Sequence, residues 1–255
     1  MLKIQDISVY VNDGNKELLH GINLEINDGT THVIMGPNGT GKSSLVKALM
    51  HHPAYKMSGG SVLYNGDDIT NLSPSDIAKK GIYYISQSPV SVEGITNMEM
   101  LRTSLLDMGI KEDIFTFKKE CNKICEKLNL PKSFLNRYIN EGMSGGERKK
   151  NELFGMWLLK PSLVILDEID SGLDVDALKL VGKNLREYQE ETGASLLLIT
   201  HQEKLIKMFK DVSVHVILGK NIKENGDILL AEDIIQNGFL KYDVTNEVDS
   251  DLEYE

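Results

Sequence analysis

Apolar residues in this chain follow two strand-like patterns. In one, apolar and polar residues alternate, as they do over residues 2–9 and 22–26. In the other, apolar residues follow one another with few breaks, which is typical of strands buried on both faces of a parallel sheet. The segments of this second kind are 31–35, 82–85, 163–166, 196–199 and 212–218. The sequence therefore predicts a parallel sheet together with half-buried strands.

Helical stretches lie between these strands. Three of them open on residues that commonly cap helix N-termini: Ser73, Ser144 and Asp174. Glu147 follows Ser144 by three residues, which matches a capping box. Strands that alternate with capped helices predict an α/β fold.

The remaining pattern concerns turns and one long helical block. The pairs Asn65-Gly66 and Asn225-Gly226 predict hairpin turns between antiparallel strands. Over 99–140 no strand pattern appears, and apolar residues recur with helical spacing. We therefore expect one domain over residues 1–240, with a helical subdomain inserted at about 97–160 and an acidic tail at 241–255.

Composition and charge narrow the classes of function. Of the 255 residues 41% are hydrophobic, which is enough for a sizeable core. The net charge is −10 and no basic block stands out, so nucleic acid is not expected as the main ligand. The apolar runs are far shorter than the roughly 18 residues that cross a bilayer, and no apolar leader precedes the first strand. We expect a cytoplasmic protein without direct membrane insertion.

Two cysteines, Cys121 and Cys125, lie one helical turn apart. They could serve as metal or cluster ligands, or simply pack inside a helix. Two thiols complete no common metal site, which favours the second interpretation.

Residues 36–43 match the phosphate-binding (Walker A) pattern G-x-x-x-x-G-K-[ST]. The pattern follows an apolar strand and precedes a helix near Ser43, which is the context that it requires. In such a loop, backbone N–H groups and the helix N-terminus bind a polyphosphate. Lys42 would reach the β- and γ-phosphates, and the Ser43 hydroxyl would hold Mg²⁺. The alternative is an ordinary glycine-rich turn. The predicted ATP-binding residues are Gly36, Pro37, Asn38, Gly39, Thr40, Gly41, Lys42, Ser43 and Ser44.

Two carboxylates, Asp167 and Glu168, end the apolar run 163–166. Ligands of open α/β sheets bind at the carboxyl ends of the strands. Asp167 is therefore a candidate for the Mg²⁺ sphere, and Glu168 is a candidate for the base that faces the attacking water.

Four further motifs occur in an order that resembles the ABC family of ATPases. Residues 143–147 resemble the family's signature motif, with glutamate at the position where glutamine is usual. Gln87 is placed like the Q-loop glutamine and His201 like the switch histidine. The D-loop counterpart consists of Ser171, Gly172, Leu173 and Asp174. Because the order holds over about residues 1–240, the chain is identified as a member of the ABC ATPases.

The resemblance implies a P-loop NTPase fold with a mixed sheet: a parallel, RecA-like part, an antiparallel β part and the inserted helical subdomain. It also implies Mg²⁺-dependent hydrolysis of ATP by a homodimer that forms on ATP binding. Glu168, His201 and Gln87 are then the catalytic residues, and Ser43, Gln87 and Asp167 the metal ligands. The signature residues that would close on the partner's nucleotide are Ser144, Gly145, Gly146 and Glu147. Tyr10 is shifted by one position from the family's adenine-stacking aromatic residue, so no adenine contact is assigned.

Several strings resemble one branch of the family, SufC, the ATPase of the SUF iron–sulfur cluster assembly system. They are 87–94, 146–151, 167–178 and 212–216. Transporter cassettes usually have proline after the Asp-Glu pair, whereas this chain has Ile169. This resemblance implies a SufB-type scaffold as partner, with or without SufD, in iron–sulfur cluster assembly.

Three other functions remain as alternatives. The first is the nucleotide-binding subunit of an ABC transporter whose membrane domains are separate chains. The second is a non-catalytic, ATP-dependent clamp, which the presence of Glu168 disfavours. The third is a DNA-associated ABC ATPase, which the acidic charge and the missing coiled-coil insertion disfavour.

Overall fold

The computed structural model describes residues 1–12 and 16–242. Residues 243–255, most of the predicted acidic tail, lie outside the described part. The strands are β1 Leu2–Val11, β2 Glu17–Ile26, β3 Thr31–Met35, β4 Tyr55–Ser58, β5 Ser61–Tyr64, β6 Asp67–Asp68, β7 Ile82–Ile85, β8 Val92–Thr96, β9 Tyr138–Ile139, β10 Leu163–Asp167, β11 Ser195–Ile199, β12 Val212–Leu218 and β13 Asn221–Gly226. The α-helices are α1 Lys42–Leu49, α2 Pro74–Lys79, α3 Asn97–Asp107, α4 Ile114–Lys127, α5 Gly145–Leu159, α6 Val175–Thr192, α7 Glu203–Ile206 and α8 Ile228–Asn237. Short 3₁₀ segments cover Lys132–Asn136 and Leu240–Tyr242.

The chain divides into two compact units. The first comprises Met1–Ile26, Thr31–Asn71 and Ile199–Glu255, and the second comprises Asn27–Thr30 and Leu72–Leu198. The division expected from the sequence, an ABC domain over 1–240 with a helical subdomain at about 97–160, stays a prediction.

The first unit contains two kinds of strand pairing. In one sheet β1 pairs antiparallel with β2, β4 and β5, and β5 pairs antiparallel with β6. Asp6 has a φ of 52° and the register shifts between Ile4 and Ile7, so Ile4, Ile7 and Val9 are all buried although their spacing is uneven. Elsewhere in this unit β12 pairs parallel with β3 and antiparallel with β13.

The second unit combines parallel strands with most of the long helices. β7 and β10 pair in parallel, and β10 and β11 are buried along their whole length. This burial on both faces explains their continuous apolar sequence. Helices α3, α4, α5 and α6 belong to this unit, and the Trp157 ring on α5 meets the Tyr188 ring on α6 edge to face.

The cysteines confirm the interpretation as packed thiols. Cys121 and Cys125 are buried in α4 and are not joined by a disulfide. Burial raises the pKa of Cys121 to about 12 and also raises the pKa of Cys125.

Most of the predicted elements are confirmed. Each of the five continuous apolar segments is a strand, and Ser73, Ser144 and Asp174 cap α2, α5 and α6 through their side chains. Asn65-Gly66 forms the predicted turn between β5 and β6.

Two predictions are wrong. Asn225-Gly226 is not a turn but part of β13, where these residues pair with His215 and Val214. The turn between β12 and β13 is Gly219-Lys220, where both residues have positive φ. In addition, the block 99–140 contains the short strand β9, which pairs with β8. Tertiary pairing explains this strand, since two residues are too few to give a sequence pattern.

Among the residues that the structure describes, no helix is both long enough and apolar enough to span a membrane.

Candidate functional site

The phosphate-loop residues lie in the first unit, between β3 and α1. At Gly36 a Cβ atom would lie 2.3 Å from the carbonyl oxygen of Ile217 on β12, so only glycine fits there. The Lys42 ammonium is buried and donates to the carbonyl oxygens of Gly36 at 2.7 Å and Pro37 at 2.9 Å. The loop backbone thus fixes the position of its own lysine.

Helix α1, which follows the loop, has an N-terminus that attracts anions. Ser43 and Ser44 lie in the first turn of α1, which contains no acidic residue. The positive end of the helix dipole therefore faces the loop without a competing carboxylate.

His201 also belongs to the first unit and follows β11. The next residue, Gln202, is the N-cap of α7, and its N–H donates to Thr200 Oγ1 at 2.9 Å. The His201 ring is exposed and meets the Phe239 ring edge to face, with centroids 6.3 Å apart.

The second unit brings Gln87, Asp167 and Glu168 together. Asp167 is the last residue of β10, is fully buried, and accepts a hydrogen bond from Tyr84 Oη at 3.0 Å. Because β7 and β10 are parallel, the residues after both strands leave the same edge of the sheet. There Gln87 Nε2 donates to Glu168 Oε2 at 2.5 Å.

The backbone at Glu168 is strained. Its φ is 46°, in the left-handed region that costs an L-residue about 1–2 kcal/mol. Strain of this kind accumulates at functional sites, where the surrounding structure holds it in place.

Lys149 on α5 connects the Q-loop to the helix that begins at the signature motif. Its buried ammonium donates to the carbonyl oxygens of Ser86 and Gln87, each at 3.0 Å. Burial lowers the pKa of Lys149, and the negative charges of Glu152, Asp170 and Asp167 oppose that shift. Burial also raises the pKa of Glu152 to about 7, and Lys149 opposes that change.

The signature residues form the predicted capping box. Ser144 Oγ accepts from the N–H of Glu147 at 3.3 Å, and Glu147 Oε2 accepts from the N–H of Ser144 at 2.9 Å. Arg137 donates to Glu147 Oε1 at 2.7 Å. The hydrogen bonds from Ser144 and then Arg137 lower the pKa of Glu147 to about 2. The carboxylate of Glu147 is therefore ionised, and the Arg137 guanidinium balances its charge.

The D-loop residues lead from Glu168 into α6. The N–H of Ser171 donates to the Glu168 carbonyl at 3.0 Å, and Leu173 N–H to that of Asp170 at 3.2 Å. Asp174 then caps α6 by accepting from Ala177 N–H at 2.8 Å. Gly172 lies in this turn.

Sequence reasoning missed four residues around these motifs: Tyr84, Arg137, Lys149 and Phe239. One signal was available for Lys149, because Leu153 and Met156 follow it at helical spacing and place it on an apolar face. Tyr84 and Phe239 lie far in sequence from their partners Asp167 and His201, and Arg137 lies ten positions before Glu147; none of the three carried a comparable signal.

Comparison with known proteins identifies the family of the chain. The sequence pattern described as ABC transporter matches residues 19–171. The chain is 37% identical over 244 residues to the probable ATP-dependent transporter SufC of Escherichia coli, covering 94% of this chain and 97% of that protein. It is 39% identical over 257 residues to the probable ATP-dependent transporter ycf16 of Cyanophora paradoxa, covering 98% of this chain and 96% of that one.

Solved structures show the same fold. One is a dimeric ATP-binding cassette in a post-hydrolysis state bound to ADP and Pi, with a TM-score of 0.77, 19% identity, and coverage of 89% of this chain and 99% of that one. Another is a nucleotide-free cassette from an ABC transporter, with a TM-score of 0.74, 24% identity, and coverage of 98% of both chains. The predicted P-loop fold with parallel and antiparallel sheets is confirmed. The chain belongs to the ABC transporter family, as an ATP-hydrolysing cassette similar in sequence to SufC.

Proposed function

We propose that this ATPase dimerises on binding Mg-ATP and drives conformational change in a SufB-type scaffold, with or without SufD, during iron–sulfur cluster assembly in the cytoplasm. The observation that carries the proposal is the contact of Gln87 with Glu168, because it joins the loop that we propose to face the partner to the general-base candidate. Lys149 supports the same connection from the signature helix.

Each site residue has a proposed role in hydrolysis. Lys42 and the backbone of residues 36–44 bind the phosphates. Glu168 accepts a proton from the attacking water while Gln87 orients its carboxylate. His201 contacts the γ-phosphate. Ser144 and the N-terminus of α5 bind the nucleotide held by a second copy of the chain.

The donor chemistry of the proposed metal ligands fits Mg²⁺. The Ser43 hydroxyl, the Gln87 amide and the Asp167 carboxylate offer the hard oxygen atoms that this ion prefers. When bound, Mg²⁺ would neutralise the charge on the phosphate oxygens.

The partner contact is proposed at residues 88–94. Val90 is 78% exposed, while its carbonyl accepts from Asn140 Nδ2 at 2.9 Å. Asn140 Oδ1 in turn accepts from Asn151 Nδ2 on α5 at 3.0 Å, and Ser91 Oγ donates to the Asn140 carbonyl at 3.1 Å. A scaffold seated on Val90 would therefore shift groups that are bonded to the signature helix.

Scaffold binding tests this contact. Val90→Asp should weaken binding of a SufB-type scaffold about 5- to 150-fold and abolish its stimulation of ATP turnover, with ATP affinity unchanged. The matched control is Leu229→Asp on α8, since Leu229 is also exposed, at 66%, and lies outside residues 88–94 and the helical block that follows them. Undiminished scaffold binding by the Val90 variant would remove this loop from the interface.

A transporter role is the second candidate, because the SufC and ycf16 relatives are both described as probable ATP-dependent transporters. Affinity purification from the native host, with iron analysis, separates the two. Recovery of membrane chains instead of a SufB-type scaffold would overturn the assembly role and leave the ATPase assignment standing.

A further inference from the structure

The segment after α8 makes a contact that the proposed reaction does not account for. Gly238 has a φ of 70° and ends α8 with its N–H donating to Ile234 O at 2.8 Å. Glycine adopts this conformation readily, and it redirects the chain so that Phe239 turns back toward His201. The two rings are nearly perpendicular, at 89°, with centroids 6.3 Å apart.

The segment is anchored by two residues that follow Phe239. Tyr242 Oη donates to Glu224 Oε2 at 2.5 Å, which ties the segment to β13. Lys241 Nζ lies 2.9 Å from Asp233 Oδ2 on α8 and 3.4 Å from Glu224 Oε2. Leu240, by contrast, is 87% exposed, whereas Phe239 is half-buried.

The histidine is anchored from its own side. His201 lies just before α7, whose C-cap residue Lys207 bridges Glu203 at 2.6 Å and Glu232 on α8 at 2.8 Å. Helices α7 and α8 are thereby joined, and the contact between His201 and Phe239 lies within the same unit. The aromatic contact therefore lies between two segments that are each joined to α8 by ion pairs.

We propose that Phe239 is a positioning residue for His201, acting through the edge-to-face contact to hold the imidazole in its working orientation. The inference rests on the proposed role of His201 in hydrolysis. Aromatic pairs of this geometry contribute about 0.5–1.5 kcal/mol beyond area burial, and small displacements of a reacting group slow catalysis. Because Phe239 would act after nucleotide has bound, its loss should lower kcat and leave KM for ATP largely unchanged.

The test uses Phe239→Leu, which keeps apolar volume and removes the ring. We expect kcat to fall about three- to tenfold, as the strength of such a pair predicts, with KM for ATP within about twofold. Phe239→Tyr should restore kcat, and Leu240→Ala, at the exposed neighbour, should have no effect. A Leu variant with unchanged kcat would overturn the proposal.

A double-mutant comparison separates positioning from general packing. In a His201→Ala background, Phe239→Leu should cause no further loss of kcat, because its effect passes through the imidazole. An equal additional loss would show that Phe239 acts on stability or another group. If His201→Ala itself leaves kcat unchanged, the proposed role of His201 fails, independently of the contact.

An NMR measurement reads the contact without activity. The His201 ring signals, assigned by their absence in His201→Ala, should shift in Phe239→Leu and remain in place in Phe239→Tyr and Leu240→Ala. Unshifted signals in the Leu variant would show that the rings do not meet in solution.

Discussion

Each unit contains a polar network built on buried side chains, and the two networks differ in charge. In the first unit, Asn225 Oδ1 only accepts, so His215 donates to it from Nδ1 at 2.6 Å, and His215 Nε2 accepts from His32 Nδ1 at 2.8 Å. This histidine chain is neutral. In the second unit, the Lys149 network joins a buried ammonium to the carbonyls of Ser86 and Gln87, and Gln87 to the carboxylate of Glu168.

This difference in charge predicts different roles for the two networks. A neutral chain across β3, β12 and β13 satisfies its own buried groups and costs little to bury. A buried ammonium has a large desolvation cost, which apolar residues would avoid. We therefore expect the histidine chain to matter for folding and the Lys149 network to matter for hydrolysis as well.

The largest effect is expected at Glu168. Glu168→Gln should keep ATP binding and the thermal unfolding midpoint while kcat falls about 10²- to 10⁴-fold, or roughly 3–5 kcal/mol of barrier, since the base is removed. Steady-state ATPase kinetics at saturating Mg-ATP measure this directly. A variant within threefold of the native chain would refute the base assignment.

The same variant tests dimerisation. If the signature residues of one chain close on the nucleotide of the other, Glu168→Gln protein with saturating Mg-ATP should sediment as a dimer, because ATP is bound and not consumed. Lys42→Ala is the matched control and should stay monomeric. Monomers for both variants would contradict the proposed trans site.

The strands before residues 36–43 and before Glu168 could be predicted from sequence, because burial makes them continuously apolar. The roles of the residues that follow these strands stay predictions. Lys42 is held by carbonyl groups of the loop that precedes it, and β10 is apolar because both its faces are buried. The order of the motifs then identified the family.

The two networks could not be predicted in this way. Lys149 contacts residues 62 and 63 positions away, and His32 contacts a residue 183 positions away. Such contacts depend on strand pairing and helix placement. The Asn225-Gly226 error has the same origin, since Asn225 is used as a hydrogen-bond acceptor inside β13 and the turn forms earlier.

A medium effect is expected at Lys149. Lys149→Met keeps the length of the side chain but leaves the Ser86 and Gln87 carbonyls without their donor, which should lower the free energy of unfolding by about 2–4 kcal/mol. The kcat should fall about tenfold, because the Q-loop backbone no longer holds Gln87 against Glu168.

The neighbouring lysine provides the control for this effect. Lys150 donates to Asn129 O at 3.3 Å and makes no described contact with the Q-loop. Lys150→Met should therefore change the free energy of unfolding by no more than about 0.5 kcal/mol and leave kcat unchanged. Urea unfolding and ATPase kinetics on both variants decide the matter. If Lys149→Met lost stability but kept full kcat, the network would be structural, like the histidine chain.

The smallest effect is expected in the pH dependence of stability, through the histidine chain. Burial, and then the neighbouring His215, lowers the pKa of His32 to about 4, and burial lowers the pKa of His215. Between pH 6.5 and 4 the unfolded chain thus binds more protons than the folded one, so these residues stabilise the fold at neutral pH and that stability is lost as pH falls. Between pH 7 and pH 5 we expect the free energy of unfolding to fall by about 1–2 kcal/mol.

The variant Asn225→Asp tests this expectation. It would place a carboxylate on His215 Nδ1, raise the pKa of that imidazole and reduce the loss of stability, with kcat at neutral pH unchanged. Urea unfolding of both proteins at pH 7 and pH 5 measures the difference. An equal fall in the free energy of unfolding for both proteins would show that the histidine chain does not control acid stability. A loss of kcat in the variant would show that the histidine chain and the Lys149 network are not independent.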